Sequence, residues 1–334
     1  MIRFILTCLV GLTVLLHAAP RVEKLLEQPD DWFTSAEGLE AMASILSWQT
    51  DHGHWPKNKD TSVKPYGGDR SKLRGTFDNG ATTAELRILA KAFDVTKEVR
   101  YQEAFLKGFD HILKAQYPNG GFPQYFPLRK GYYSRITFND GSMVRLLEFL
   151  RDMASSSEDA LLDVKRKEAA EKALELGVEC MLKCQVKIDG QLTVWCAQHD
   201  ETTLKPANAR SYELVSLSGS ESGGILIFLM SLDDPSSEVK RAIKAGVDWF
   251  ESNKIEGFRY QKSENEPALV RDPDASPLWA RFYEIETNRP FFCDRDGIKK
   301  YDIMEIGSER RRGYSWYTNT GSKVAKAYAN WKYR

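Results

Sequence analysis

Apolar residues recur along this chain at helical rather than alternating spacing. One run, through Leu86, Ile88 and Leu89, opens after Asp78-Asn79-Gly80-Ala81-Thr82-Thr83-Ala84-Glu85. A second, Met143, Val144, Leu146, Leu147 and Phe149, opens after Asn139-Asp140-Gly141-Ser142, and a third, Ile225 to Met230, opens after Ser218-Gly219-Ser220-Glu221-Ser222. Each start offers Asp, Asn or Ser to cap unpaired backbone N–H groups. Between the runs lie aromatic turns: Trp48-Gln49 to Trp55-Pro56, Gln116 to Phe122-Pro123-Gln124, and Gln185 to Trp195, with a looser fourth at Trp249 to Phe258. Gln49, Gln116 and Gln185 are 67 and 69 residues apart, a period that holds two helices and their loops. The pattern predicts an all-α chain, an α/α toroid of about three helix pairs, against the alternative of an irregular helical domain. In a toroid the starts at Asp78, Asp140 and Glu221 converge on one rim, with the aromatic turns opposite or lining the cleft.

Periodicity lapses over Asn58–Phe77, His199–Arg210 and Ser263–Leu278, which read as long loops of the functional kind. No linker calls for a second domain. Met1 to Ala19 carries Arg3, an apolar run from Phe4 to Leu16 and then His-Ala-Ala, which predicts a signal peptide over 1–19 and one domain over 20–334. The expected destination is the periplasm or the cell exterior, and no later stretch is apolar enough to span a bilayer.

At 42% hydrophobic residues and with eight Trp, 14 Tyr and 16 Phe, the 334-residue chain can bury a large core. Lys and Arg number 47 against 47 Asp and Glu, so no global field attracts nucleic acid or an anionic membrane. Recognition of a polyanion must therefore be local. The four cysteines after the leader, Cys180, Cys184, Cys196 and Cys293, lack the spacing of a disulfide framework or a zinc site, though one bridge is possible in an exported protein.

Asp78 and Asp140 stand at corresponding repeat positions, where they serve as helix caps or as converging hard oxygen ligands suited to Ca²⁺. Arg210, Arg281 and Arg295 lie in loops among aromatics, with Lys205 near the first; guanidinium pairs with carboxylates in bidentate fashion, although such arginines are commonly stacked surface residues. Loop aromatics such as Trp48, Tyr125, Tyr132 and Tyr133 either pack locally or stack on sugar rings. No GxGxxG, P-loop, GxSxG or HExxH motif is present.

Taken in order, Trp55-Pro56-Lys57-Asn58, Thr76-Phe77-Asp78-Asn79-Gly80-Ala81-Thr82, Gly120-Gly121-Phe122-Pro123-Gln124, Ile136-Thr137-Phe138-Asn139-Asp140, Ala209-Arg210-Ser211-Tyr212-Glu213, Trp279-Ala280-Arg281-Phe282-Tyr283 and Asp294-Arg295-Asp296-Gly297 resemble the tenth family of polysaccharide lyases, pectate lyases with an α/α toroid. The resemblance implies β-elimination on polygalacturonate with Arg210 as the catalytic base. It implies Ca²⁺ as cofactor at Asp78 and Asp140. Arg281 and Arg295 would bind uronate carboxylates, and Lys205, Asp78, Asn79 and Tyr212 would complete the substrate contacts. Asn208 stands where the family commonly has tryptophan, which puts stacking at that subsite in doubt. A crowd of cations around Arg210 would lower its pKa towards that of a base. A monomer is expected, with no nucleic-acid or membrane partner. Two other readings stay open: a toroid glycoside hydrolase using Asp78 and Asp140, and a non-catalytic polyuronate-binding protein.

Overall fold

Six helices pair off along the chain of this computed structural model, which describes residues 22–156, 160–261 and 268–333. The expected leader lies outside these residues, as does part of the loop expected at Ser263–Leu278. After α1 (Ala36–Ser47) come α2 (Thr83–Thr96) with α3 (Val99–Ala115), α4 (Ser142–Ala154) with α5 (Val164–Cys184), and α6 (Glu221–Met230) with α7 (Ser237–Ser252). A short α8 (Ser308–Gly313) and α9 (Thr320–Ala329) follow. Each pair is joined by a short connection, as helices packed side by side in opposite directions require. Successive pairs touch through both members: α2 with α4, α4 with α6, α3 with α5, and α5 with α7, while α9 covers α6 and α7.

The degenerate sequence period becomes a regular packing rule. Gly108, Gly177 and Gly246, each 69 residues from the next, lie on α3, α5 and α7 opposite Leu86, Leu147 and Leu226 of their partner helices. A Cβ at these glycines would come within 2.6, 2.3 and 2.6 Å of the leucine Cδ2 atoms, so the close crossing needs glycine there. The recurring glutamines clamp neighbouring pairs. Gln49 Nε2 donates to the carbonyls of Gly53 (3.1 Å) and Ala104 (2.8 Å), Gln116 to Gly120 (3.0 Å) and Ala173 (2.7 Å), and Gln185 to Thr193 (2.9 Å) and Ala242 (3.0 Å). Each amide thus satisfies one carbonyl of its own turn and one of the next pair's outer helix. At about 1 kcal/mol per bond the clamps set register more than they stabilise.

All long connections leave and enter at one end of the bundle, because each follows a returning helix and precedes an outgoing one. They span 48–82, 116–141, 185–220 and 253–319. The aromatic turns therefore share a rim with the helix starts rather than facing them. Short strands tie these loops together: Leu217–Ser218, Phe282–Tyr283, Pro290–Cys293 and Lys299–Lys300 form one four-stranded sheet in that order. Tyr212, Phe282, Phe291, Phe292, Cys293, Ile303, Ile306 and Trp316 make a second, smaller core beneath it. The four cysteines named above are buried and unbridged. No described helix is long and apolar enough to cross a membrane.

Under the first long loop His54 and His111 stack with ring centroids 4.4 Å apart, and His52 lies 6.1 Å from His111. Burial, reinforced by the neighbouring imidazoles, pushes His54 down to about 3 and His111 to about 4. The unfolded chain binds their protons near pH 6.5 while the native state refuses them. Their contribution to stability is thus intact above pH 6.5 and is lost as pH falls towards 4 and 3, on the order of 3 kcal/mol each. Glu85, which burial raises to about 7, acts with the opposite sign between its unfolded value and 7. Urea midpoints measured across that range should fall on acidification, and less steeply for His111→Phe. Equal slopes in the two proteins would place the proton uptake elsewhere.

Candidate active site

Two helix starts adopt one unusual turn. Asp78–Gly80 and Asn139–Gly141 are single helical turns whose middle residues are left-handed, Asn79 at φ 55° and Asp140 at φ 52°. Asn and Asp tolerate that conformation better than other non-glycine residues. The turns superpose Asp78 on Asn139 and Asn79 on Asp140, so the aspartates are offset by one position and not equivalent as the sequence suggested. Asp78 points inward, with 2% of its side chain exposed, whereas Asp140 is 39% exposed.

Between the loops lies an almost wholly polar pocket of about 180 Å³. The first loop supplies Lys57, Asn58, Asp78 and Asn79; the second Gln124, Tyr132, Asn139 and Asp140; the third Gln198, Arg210 and Glu213. A larger open groove of about 1210 Å³ lies between the end of α5 and α7, but its charges are mixed and largely paired to one another. The smaller pocket holds the unusual chemistry.

Asp78 Oδ2 takes an ion pair from Lys57 Nζ and a hydrogen bond from Gln124 Nε2 at 2.7 Å. Asp78 Oδ1, Gln124 Oε1 and Gln198 Oε1 are buried without any partner. Three orphaned hard oxygens lining one pocket are costly unless something cationic or protic meets them. Their chemistry fits Ca²⁺, with the Asp140 carboxylate as a fourth oxygen source. No group of three or more His, Cys, Asp or Glu among the described residues is arranged to hold a metal, so amide oxygens must contribute to any such site.

Arg210 lies on Glu213: Nε donates to Oε2 at 2.7 Å and Nη2 to Oε1, while the Arg210 backbone N–H reaches Oε2 at 3.1 Å. Tyr314 Oη donates to Glu213 Oε1 at 2.8 Å. The bonds that Arg210 donates to Glu213 raise its pKa well above the ordinary value, outweighing burial. Burial pushes the Glu213 carboxyl up, but Arg210 more than offsets this and leaves it below its ordinary value. Neighbouring cations do stand near Arg210, Arg295 and Arg310 sharing the Tyr212 ring with it, but the direct contact is a carboxylate, with the rings of Tyr212 and Tyr314 at 4.9 and 5.8 Å, and that carboxylate outweighs them.

Of the residues singled out in the sequence, Asp78, Asn79, Asp140 and Arg210 line the pocket together. Arg281 lies beneath it, 7% exposed, donating from Nη2 to Glu221 Oε1 (2.6 Å), Asn139 Oδ1 (3.1 Å) and Asp140 Oδ1 (3.4 Å). Its Nε is buried without a partner. Tyr212 is buried under Arg210. Arg295 is outside the pocket lining, 62% exposed and paired with Glu309 at 3.1 Å. Lys205 is exposed and does not line the pocket either. Asn208 accepts a hydrogen bond from Arg135 Nη1 at 2.8 Å, so the position where tryptophan is common carries a polar link between two loops.

Sequence reasoning did not single out Lys57, Gln124, Gln198, Glu213 and Glu221 as site residues. Lys57 and Gln124 sat inside quoted motifs, and Glu213 follows Arg210 by three residues, a spacing that suits an ion pair. Gln198 had no such signal. Arg310 was missed as well: it stacks over Tyr212 at 4.6 Å and bonds Glu309 at 2.7 Å, adding a cation beside Arg210 and Arg295.

Residues 49–325 match the family described as pectic acid lyase. The chain is similar to the family 10 polysaccharide lyase from Cellvibrio cellulosa: 37% identical, TM-score 0.83, covering 93% of this chain and 98% of that one. A mutant of that enzyme in complex with trigalaturonic acid matches at 37% identity and TM-score 0.82, over 91% of this chain and 98% of the other. No curated protein matches the chain.

Proposed function

The chain belongs to the pectic acid lyase family, and from that premise we propose that it is an exported pectate lyase cutting α-1,4-polygalacturonate by β-elimination, with Arg210 as the base. The carrying observation is that Asp78, Asp140 and Arg210, from three separate loops, line one pocket with three unpartnered buried oxygens. Asp78 and Asp140, helped by the Gln124 and Gln198 amide oxygens, would hold Ca²⁺. Bound there, Ca²⁺ supplies the charge that neutralises the uronate carboxylate and makes the C5 proton acidic.

The chain's own residues do the rest. In its neutral form Arg210 takes the C5 proton, the electron pair moves into a C4–C5 double bond, and the C4–O bond breaks with the leaving sugar oxygen taking up a proton from water. Arg210 can act as a base only once it has left Glu213 and given one guanidinium proton to solvent water, and Tyr314, already bonded to Glu213, keeps that carboxylate hydrogen-bonded meanwhile. Arg281 acts from beneath through its free Nε, Arg295 and Lys205 grip carboxylates further out, Asn79 shapes the wall, and Tyr212 supports Arg210 from below. The developing charge is met by groups already fixed in place, usually the largest catalytic contribution. The three helix pairs and α9 are read as an α/α toroid, residues 20–334 as one domain acting as a monomer, and residues 1–19 as a cleaved signal peptide.

Purified protein on polygalacturonate should generate ultraviolet absorbance from the unsaturated product. A chelator should reduce the rate by at least about tenfold, and added Ca²⁺ should restore it. Reducing ends without absorbance would instead mark a hydrolase, and binding without products a non-catalytic protein.

A further inference from the structure

Lys57 carries an inference that rests on the reading of the pocket as a cation site. Its ammonium pairs with Asp78 Oδ2, and Asp78 has 2% of its side chain exposed against 33% for Lys57. Among the described residues no other cation touches Asp78; Gln124 is a neutral donor. The carboxylate therefore has one oxygen occupied by a tethered positive charge and the other, Oδ1, buried with nothing to meet it. A divalent ion arriving at Oδ1 would sit across a single carboxylate from an ammonium, and in a pocket shielded from water that repulsion is strong. One of the two cations must yield. Only Lys57, on a flexible and part-exposed stem, can swing away, and it then needs another anion.

We propose that Lys57 is a tethered counter-ion that guards Asp78: it occupies the carboxylate while the pocket lacks uronate, competes with Ca²⁺, and transfers to a uronate carboxylate when substrate enters. Lys57 is thus a positioning residue that makes metal and substrate binding mutually supportive. Uronate draws Lys57 off Asp78 and opens the metal site, and by thermodynamic reciprocity the metal tightens uronate binding by the same factor. The wild-type protein should hold Ca²⁺ weakly when alone, because only the fraction of molecules with Lys57 displaced is competent.

Calorimetry with Ca²⁺ alone, on uronate-free protein, tests this without any turnover. Lys57→Met should bind Ca²⁺ roughly tenfold or more tightly than wild type, and Lys57→Arg, which keeps the competing charge, should not. A second titration, in an Arg210→Ala background so that no bond is cut, adds trigalacturonate. There Ca²⁺ affinity should rise with uronate when Lys57 is present and respond much less in Lys57→Met. Equal Ca²⁺ affinities for wild type and Lys57→Met, with Asp78→Ala still abolishing binding, would overturn the role of Lys57 while leaving the metal site standing. If Asp78→Ala leaves Ca²⁺ affinity unchanged, the cation reading of the pocket fails and the lysine proposal with it. Thermal melting of each variant checks that the fold is retained.

Discussion

Arg210→Ala is expected to reduce kcat on polygalacturonate by roughly 10²–10⁴-fold, the range for removing a positioned general base. The substitution should leave the fold intact. The Arg210 side chain is 40% exposed, and Glu213 keeps the hydrogen bond from Tyr314. KM should change much less than kcat, because the proton transfer exists only in the transition state. Arg210→Lys should rescue little: a lysine cannot reproduce the fork that now spans both Glu213 oxygens, so its nitrogen would be held differently. Steady-state kinetics by ultraviolet absorbance, with melting curves for each variant, measure both effects. Near-normal turnover in either variant would remove Arg210 from the chemistry.

Glu221→Ala should be the most destabilising single change near the site. Arg281 is almost fully buried, and its 2.6 Å bond to Glu221 Oε1 is its shortest charged contact. Burial disfavours the Arg281 charge, yet Glu221 and the neighbouring anionic groups hold its pKa above the ordinary value. Removing Glu221 leaves a guanidinium in a low-dielectric setting with Asn139, the longer Asp140 contact and the Tyr314 ring at 4.6 Å. Breaking a buried pair from one side costs about 3–5 kcal/mol, enough to lower Tm by roughly 4–7 °C in a chain of this size. Glu221 also accepts a hydrogen bond from Ser218 Oγ at the start of α6, so the effect should spread to that helix end. The double variant Glu221→Leu/Arg281→Met removes both charges and should recover much of the loss. If Arg281 also grips uronate, the double variant will be stable yet impaired in activity, which separates the two roles. A Tm drop as large in the double variant as in Glu221→Ala would show that the pair itself is not the cause.

Both expectations concern ionic partners, and that is where sequence and structure part. Arg210 stood out in the sequence because of its loop and its motif, but its bond to Glu213, which now holds the proton on, depends on a three-residue turn folding back. Arg281 was read as facing substrate, and the chain instead tucks it under Asp140 and Glu221, residues 141 and 60 positions away. Asp78 and Asp140 looked equivalent because both follow a phenylalanine near a glycine. The backbone shows them one step out of register, since the left-handed position takes Asn79 in one turn and Asp140 in the other.

What the sequence determined by itself was the set of local elements. Apolar spacing specified the helices, capping residues their starts, and the 67- and 69-residue glutamine intervals the number of pairs, because these properties depend on neighbours within a few residues or on a repeat of the same unit. Only the tertiary structure decided which charges meet and which oxygens are left without a partner. Lys57 reaches Asp78, Gln124 and Gln198 present bare carbonyl oxygens, and a β-rich layer with its own aromatic core carries Tyr212 and Trp316. Long-range electrostatic pairing has no period along the chain. It is fixed by where the long loops come together at one end of the bundle, and there burial turns an ordinary lysine or glutamine into part of a site.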